Sequence, residues 1–257
     1  MGTDTMDEIV GMLEAQQAEL GSLIDDLDGA GWARPSPCEG WAVADVVLHL
    51  EQTNRMAIGS AEGRLDEVLG GLLAGAPPAA TVDDGAAVMV DVDPDRGDGP
   101  AVRSRWQAGC GRLDQLLRAG DPGEKVTWVV GRLSLRTLAT TRLAETWIHT
   151  GDVAEALGAT LAATERLEPI ARLAWRTLPY AFQRAGRTLG GPVAFHLTGP
   201  DGQPWAFEPD EPARTTVRGP AADLCGVAGR RVDPSTTALT AEGPDGPAVL
   251  ELVRTYA

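Results

Sequence analysis

Two histidines and a glutamate in this chain have the types and spacing of metal ligands. His49 lies in the helix-like run Trp41-Ala-Val-Ala-Asp-Val-Val-Leu-His-Leu50. His149 follows Glu145 by four residues in Arg142-Leu-Ala-Glu-Thr-Trp-Ile-His-Thr-Gly-Asp152. A Glu and a His four apart project from one side of a helix, one turn above each other. A second helix that brings His49 to that face completes two imidazoles and a carboxylate, the ligand set of a catalytic zinc-type site with one position open. The one-helix pattern His-Glu-x-x-His is absent, so the ligands must come from two facing helices, as in bundle metal sites. Asp152, one turn past His149, and Asp45, one turn before His49, are candidates to orient the imidazoles from behind. Arg142, three residues before Glu145, is placed to pair with it. The competing reading is that a lone helical His is usually a hydrogen-bonded core or surface residue and that Glu-x-x-x-His recurs by chance.

The elements that must position these residues are helical. Ile9, Met12, Leu13, Leu20, Leu23, Ile24 and Leu27 recur at helical spacing and predict a helix over 6–27. A Gly- and Pro-containing loop is expected over 29–40, then a helix from about 42 past Met56 toward Leu65. The stretch 70–100 is rich in Gly, Ala, Pro and Asp and carries the weakest pattern. Within it, Asp91-Val-Asp-Pro-Asp-Arg-Gly-Asp98 superficially resembles a calcium loop, but Pro94 and the missing closing glutamate exclude an EF-hand. Further helices are expected over about 102–117, 133–157 with Gly158 as the stop, and 164–185. After Gly190-Gly-Pro192 the texture becomes strand-like. Strands are expected at 193–198, 205–207, 214–218 and 237–241, with a short helix over 221–230 and a last helix to Tyr256. Long helices followed by a small α+β region make the fold class α+β, with domains 1–188 and 189–257.

Bulk properties exclude several functions. The formal net charge of −15 disfavours nucleic acid and anionic membrane surfaces as partners. No apolar run approaches the roughly 20 residues of a membrane helix. The acidic start Met1-Gly-Thr-Asp-Thr-Met-Asp-Glu8 lacks a signal-peptide pattern, so a cytoplasmic location is expected. Cys38, Cys110 and Cys225 are too far apart for a CxxC motif and read as reduced thiols; Cys38, in the loop before the His49 helix, is near enough in sequence to reach the site. There is no Gly-x-Ser-x-Gly, dinucleotide fingerprint or P-loop. His196, in a strand, reads as structural, and Trp41, Trp147 and Trp175 read first as core and second as pocket walls.

The residues around His49 carry a resemblance. Trp32-Ala-Arg-Pro-Ser-Pro-Cys-Glu-Gly-Trp-Ala-Val-Ala-Asp-Val-Val-Leu-His-Leu50 resembles the first motif of the DinB-like, mycothiol-dependent maleylpyruvate isomerase superfamily. Arg142, Glu145, His149 and Asp152 match its second motif. The runs Thr198-Gly-Pro-Asp-Gly-Gln-Pro-Trp205, Val217-Arg-Gly-Pro-Ala-Ala-Asp-Leu-Cys225 and Gly229-Arg-Arg231 are similar to its small C-terminal domain. An actinobacterial subfamily described as metal-binding is the nearest in pattern. The resemblance implies an N-terminal DinB-like four-helix bundle followed by a small α+β, sterol-carrier-like domain. It implies a divalent metal, usually zinc, on His49, Glu145 and His149, and mycothiol at the metal's open position. It also implies an arginine of the C-terminal domain that holds a substrate carboxylate, with Arg230 as the catalytic candidate and Arg231 beside it. Ala42 departs from the family's usual Thr or Ser, a loss of a helix cap. The stretch 63–99 does not match the isomerase proper, so the substrate does not carry over.

The expected function is therefore a metal-dependent, thiol-activating isomerase or transferase acting on a small organic electrophile. Two alternatives stand beside it: a tailoring enzyme that uses the bundle pocket for cyclisation or rearrangement, with a vestigial or structural metal, and a non-catalytic small-ligand carrier. The expected partners are a small-molecule substrate and a low-molecular-weight thiol, with homodimerisation left open.

Overall fold

The computed structural model describes residues 5–78 and 81–255. The chain divides into two compact units, Met1–Leu161 and Ala162–Ala257. The first is helical: α1 Met6–Ile24, α2 Gly29–Trp32, α3 Val43–Ala61, α4 Leu65–Leu72, α5 Val82–Val92, α6 Gly99–Ala119 and α7 Leu135–Leu157, with a hairpin of β1 Lys125–Trp128 and β2 Gly131–Ser134 between the last two helices. Four helices of 19 to 23 residues form the bundle. α1 lies against α6 and α7, and α3 against the same two. Its apolar interior includes Leu20, Ile24, Trp32, Val46, Val47, Val102, Trp106 and Val153. Gly99 is needed where it stands, because a Cβ there would sit 2.1 Å from the Trp32 ring.

Local chemistry sets the helix ends. Thr5 and Glu8 form a reciprocal capping box at the start of α1. α7 starts behind Ser134, whose hydroxyl accepts from Thr137 N–H, and stops at Gly158 in the left-handed conformation. α3 keeps half of a capping box: Asp45 Oδ2 accepts the Ala42 N–H at 2.9 Å, while Ala42 offers no side-chain acceptor in return. Asp45 therefore does not stand behind His49. Its other oxygen pairs with Arg96 Nε at 3.1 Å.

That contact shows what the unpatterned connection does. Arg96 also pairs with Asp91, Arg105 reaches Asp93 at 3.1 Å and Asp95 at 3.2 Å, and Gln52 donates to Met89 O and Asp93. Two arginines fasten the acidic run 91–98: its own Arg96 to Asp45 of α3, and Arg105 of α6 to Asp93 and Asp95.

The second unit holds α8 Leu167–Arg176, α9 Leu178–Arg184, α10 Ala221–Ala228 and α11 Gly246–Leu252 around β3 Val193–Thr198, β4 Pro204–Phe207, β5 Thr215–Pro220 and β6 Thr240–Glu242. The sheet order is β4-β3-β5-β6, with β3 and β5 parallel and the other pairs antiparallel. Phe195, Leu197, Trp205, Phe207 and Val217 fill its buried face.

Two expectations are corrected. The single helix over 164–185 is broken at Thr177, because Pro179 has no N–H to continue the ladder; Thr177 instead ends α8 and opens α9. Both helices fall in the second unit, so the division comes earlier in the chain than the boundary read from the glycines near 190. The hairpin β1–β2 was not expected. The end of the last helix at Tyr256 lies outside the described residues, and α11 ends at Leu252.

Two stability predictions follow from these contacts. Ala42→Ser supplies the missing cap acceptor and should raise stability by about 1 kcal/mol in chemical denaturation. Asp114 on α6 is buried; burial pushes its carboxyl up to about 6, against the hydrogen bond from Gln17 on α1. A carboxyl raised in the folded state binds more protons there than in the unfolded chain between 3.8 and about 6. Stability therefore falls as pH rises through that window. Asp114→Asn should add roughly 1–3 kcal/mol at pH 7 and flatten the stability profile between pH 4 and 7. An unchanged profile would refute the assignment.

Candidate metal centre

α7 is buried on nearly all sides, so its polar residues must be satisfied inside the protein. The threonines turn back on their own helix: Thr140 donates to Arg136 O, Thr146 to Arg142 O and Thr150 to Thr146 O. Arg142, Glu145, His149 and Asp152, spaced three, four and three residues apart, form one stripe of neighbouring charges. His49 arrives from the facing helix α3 with 7% of its surface exposed.

Glu145 is the centre of this cluster. Its Oε1 lies 2.7 Å from His49 Nε2 and 3.6 Å from His149 Nε2, and its Oε2 lies 3.6 Å from Arg142 Nη2. His149 is held from behind, as the sequence suggested, by a 2.8 Å bond from Nδ1 to Asp152 Oδ2. That bond places a proton on Nδ1 and turns Nε2 toward Glu145. The rings of His49 and His149 meet edge to face, 4.9 Å between centroids, and Trp41 covers His49 at 5.2 Å. Trp41 does this from the segment before α3, not from a helix.

The electrostatics follow from burial. Burial holds the His49 imidazole below its ordinary value, against the hydrogen bond to Glu145. For Glu145, burial pushes the carboxyl up but is outweighed by hydrogen bonds from His149 and His49 and by the charge of Arg142, so it lies well below the usual carboxylate range. For His149, burial pushes down and is outweighed by hydrogen bonds to Asp152, Cys38 and Glu145, so it lies well above the usual imidazole range.

Two residues enlarge the picture drawn from sequence. Cys38 is brought to the cluster: its thiol donates to Asp152 Oδ2 at 3.2 Å, on the Nδ1 side of His149. Trp128 in β1 packs under the Arg142 guanidinium, 5.4 Å from its centroid. No pattern in 125–134 pointed to Trp128, because the hairpin that delivers it was not legible. Trp175 lies in the second unit, where its indole N–H donates to Val193 O. His196 lies there too, between Glu208 and Arg218. Arg230 follows α10 with φ of 62°, the one non-glycine residue in the left-handed region among the described residues.

His49, Glu145 and His149 present one ligand atom each within 4.8 Å of one another. Two imidazole nitrogens and one carboxylate oxygen, the second imidazole oriented by an aspartate, fit a divalent metal with an open position.

Comparisons with known proteins bear on the family and the fold. The model of the mycothiol maleylpyruvate isomerase N-terminal domain matches residues 13–154. Two uncharacterised proteins of Mycobacterium tuberculosis, from strains CDC 1551 / Oshkosh and ATCC 25618 / H37Rv, are each 35% identical over 248 residues, 95% of this chain and 93% of theirs. The crystal structure of the mycothiol-dependent maleylpyruvate isomerase covers 96% of this chain and 99% of its own, with a TM-score of 0.61 at 19% identity. A mutant of that isomerase matches with a TM-score of 0.60 at 18% identity. These likenesses show a shared fold. Among the described residues no helix is long and apolar enough to cross a membrane.

Asp152 gives a direct test of the centre. Asp152→Asn keeps the shape but weakens the hold on the His149 tautomer, and should weaken zinc binding by roughly 10- to 100-fold in chelator competition. Unchanged affinity would show that Asp152 does not orient the ligand.

Proposed function

The chain belongs to the family of the mycothiol maleylpyruvate isomerase N-terminal domain, and from that membership we propose that its helical unit holds a divalent metal on His49, Glu145 and His149 to activate a low-molecular-weight thiol. The thiol is mycothiol, and the reaction is isomerisation of, or thiol transfer to, a small organic electrophile. The observation that carries the reading is the convergence of both Nε2 atoms on Glu145 Oε1. Zinc suits two imidazoles and a carboxylate with an open fourth position. When bound there it lowers the pKa of a thiol ligand, so that a sulfur nucleophile is available at neutral pH.

The protein's own residues do the positioning. Asp152 fixes the His149 tautomer and ring direction. Arg142 takes the side of Glu145 away from the imidazoles. Trp41 covers the His49 ring and shields it from water on that face. Arg230 is assigned to the substrate carboxylate, because a guanidinium holds a carboxylate through two parallel hydrogen bonds. Arg230 stands at the left-handed stop of α10, where its N–H donates to Val227 O and the Arg231 N–H to Gly226 O.

Protein purified without added metal should contain about one equivalent of a divalent ion, and His49→Ala should lose it. Less than about a tenth of an equivalent in the unmodified protein would sink the metal reading. With mycothiol and maleylpyruvate as the first pair assayed, Glu145→Ala should abolish thiol-dependent turnover. Turnover at the full rate in that variant would overturn the mechanism. Arg230→Gln should raise KM for a carboxylate substrate far more than it lowers kcat.

A further inference from the structure

Arg142 is among the most deeply buried charges in the protein, with 2% of its surface exposed. Its Nε and Nη1 have no hydrogen-bond partner among the described residues. Among the described residues its one ion pair is with Glu145 Oε2, at 3.6 Å, longer than a hydrogen bond. The other neighbour is the Trp128 ring, which attracts a cation through its π face. A guanidinium stripped of water and left with most of its donors unpaired is expensive, and an apolar side chain of similar size would often give a more stable protein. Fold stability therefore does not explain its presence.

Its placement points to another role. Glu145 is the one carboxylate among the three ligands, and Arg142 draws on that same negative charge from the second oxygen. A divalent ion, Arg142 and Glu145 together carry two positive charges in excess. Asp152, behind the His149 ring, reduces that to one. A buried site with surplus positive charge disfavours the cation itself and favours an anion at the open position.

We propose that Arg142 is a charge-tuning residue that makes the metal centre selective for an anionic fourth ligand, at the expense of metal affinity. This inference rests on the metal reading above, and it deepens that reading: the centre prefers a thiolate to a neutral thiol or water because a buried cation stands behind Glu145. A residue that merely steadied Glu145 would act in the opposite direction on the metal, strengthening its binding.

The two signs separate in one experiment. Cobalt(II) is bound to the full-length protein, its affinity is measured by chelator competition, and thiocyanate is then titrated against the visible spectrum of the cobalt form. Arg142→Met should tighten cobalt by roughly tenfold and weaken thiocyanate by a similar factor. Arg142→Lys, which keeps the charge, should move both by less than the neutral variants do. Arg142→Gln gives the neutral comparison should the methionine variant not fold. Weaker cobalt binding in the neutral variants, or an unchanged thiocyanate affinity, overturns the proposal while leaving the metal site standing. Failure of the unmodified protein to bind cobalt, by contrast, removes the metal reading itself.

Discussion

The carboxylate of Glu145 is buried between two imidazoles and a guanidinium, and the need to solvate it there governs how the helices around it meet. An ionised carboxylate taken out of water must recover its hydration from protein groups or lose its charge. His49 Nε2 at 2.7 Å is the nearest such group, and it comes from a different helix. The contact therefore fixes α3 against α7 in rotation and in height, not only in distance. His149 and Arg142 lie on the same helix as Glu145, one turn to either side, so their positions follow once α7 forms. The segment before α3 is drawn in as well: Cys38 meets Asp152, and Trp41 lies on His49.

α3 could not turn His49 inward unless its own start were held. Without a hydroxyl at position 42, Asp45 carries the cap through its carboxylate and is held in turn by Arg96 from the acidic connection. The connection that departs most from the isomerase pattern is thus one of the supports of the helix that delivers a ligand. Its carboxylates are paired with Arg96 and Arg105, which keeps a strongly acidic stretch folded against an acidic protein.

The stripe on α7 was legible because helical spacing is a rigid rule: residues three and four apart share a face, whatever surrounds them. His49 and its helix were legible from the flanking Trp32 to Leu50 residues, which carry a motif. Asp45 shows the limit of spacing. It stands one turn from His49 and could orient it, yet an N-terminal position in a helix gives a carboxylate backbone donors close at hand, and those took it. The break at Pro179 was legible in principle, since a proline inside a helical run removes a ladder donor. The hairpin over 125–134 was less so. It has two four-residue strands, and its exposed tip residues Val129 and Val130 blur the alternation that marks a strand. Trp128 under Arg142 was invisible for the same reason.

The charged stripe also bears on why this bundle was built as it is. Elsewhere in the bundle Leu13 and Leu20 of α1 and Leu113 and Leu117 of α6 are fully buried apolar residues that need no partners. The same solution was open to α3 and α7 at positions 49, 142, 145, 149 and 152, and replacing a buried ionic cluster by packed hydrophobic residues is frequently neutral or stabilising. Five polar side chains in that interior, one of them a guanidinium with unpaired donors, are a configuration that folding alone would not retain. The orphaned nitrogens of Arg142 are the part of the cluster for which packing gives no reason.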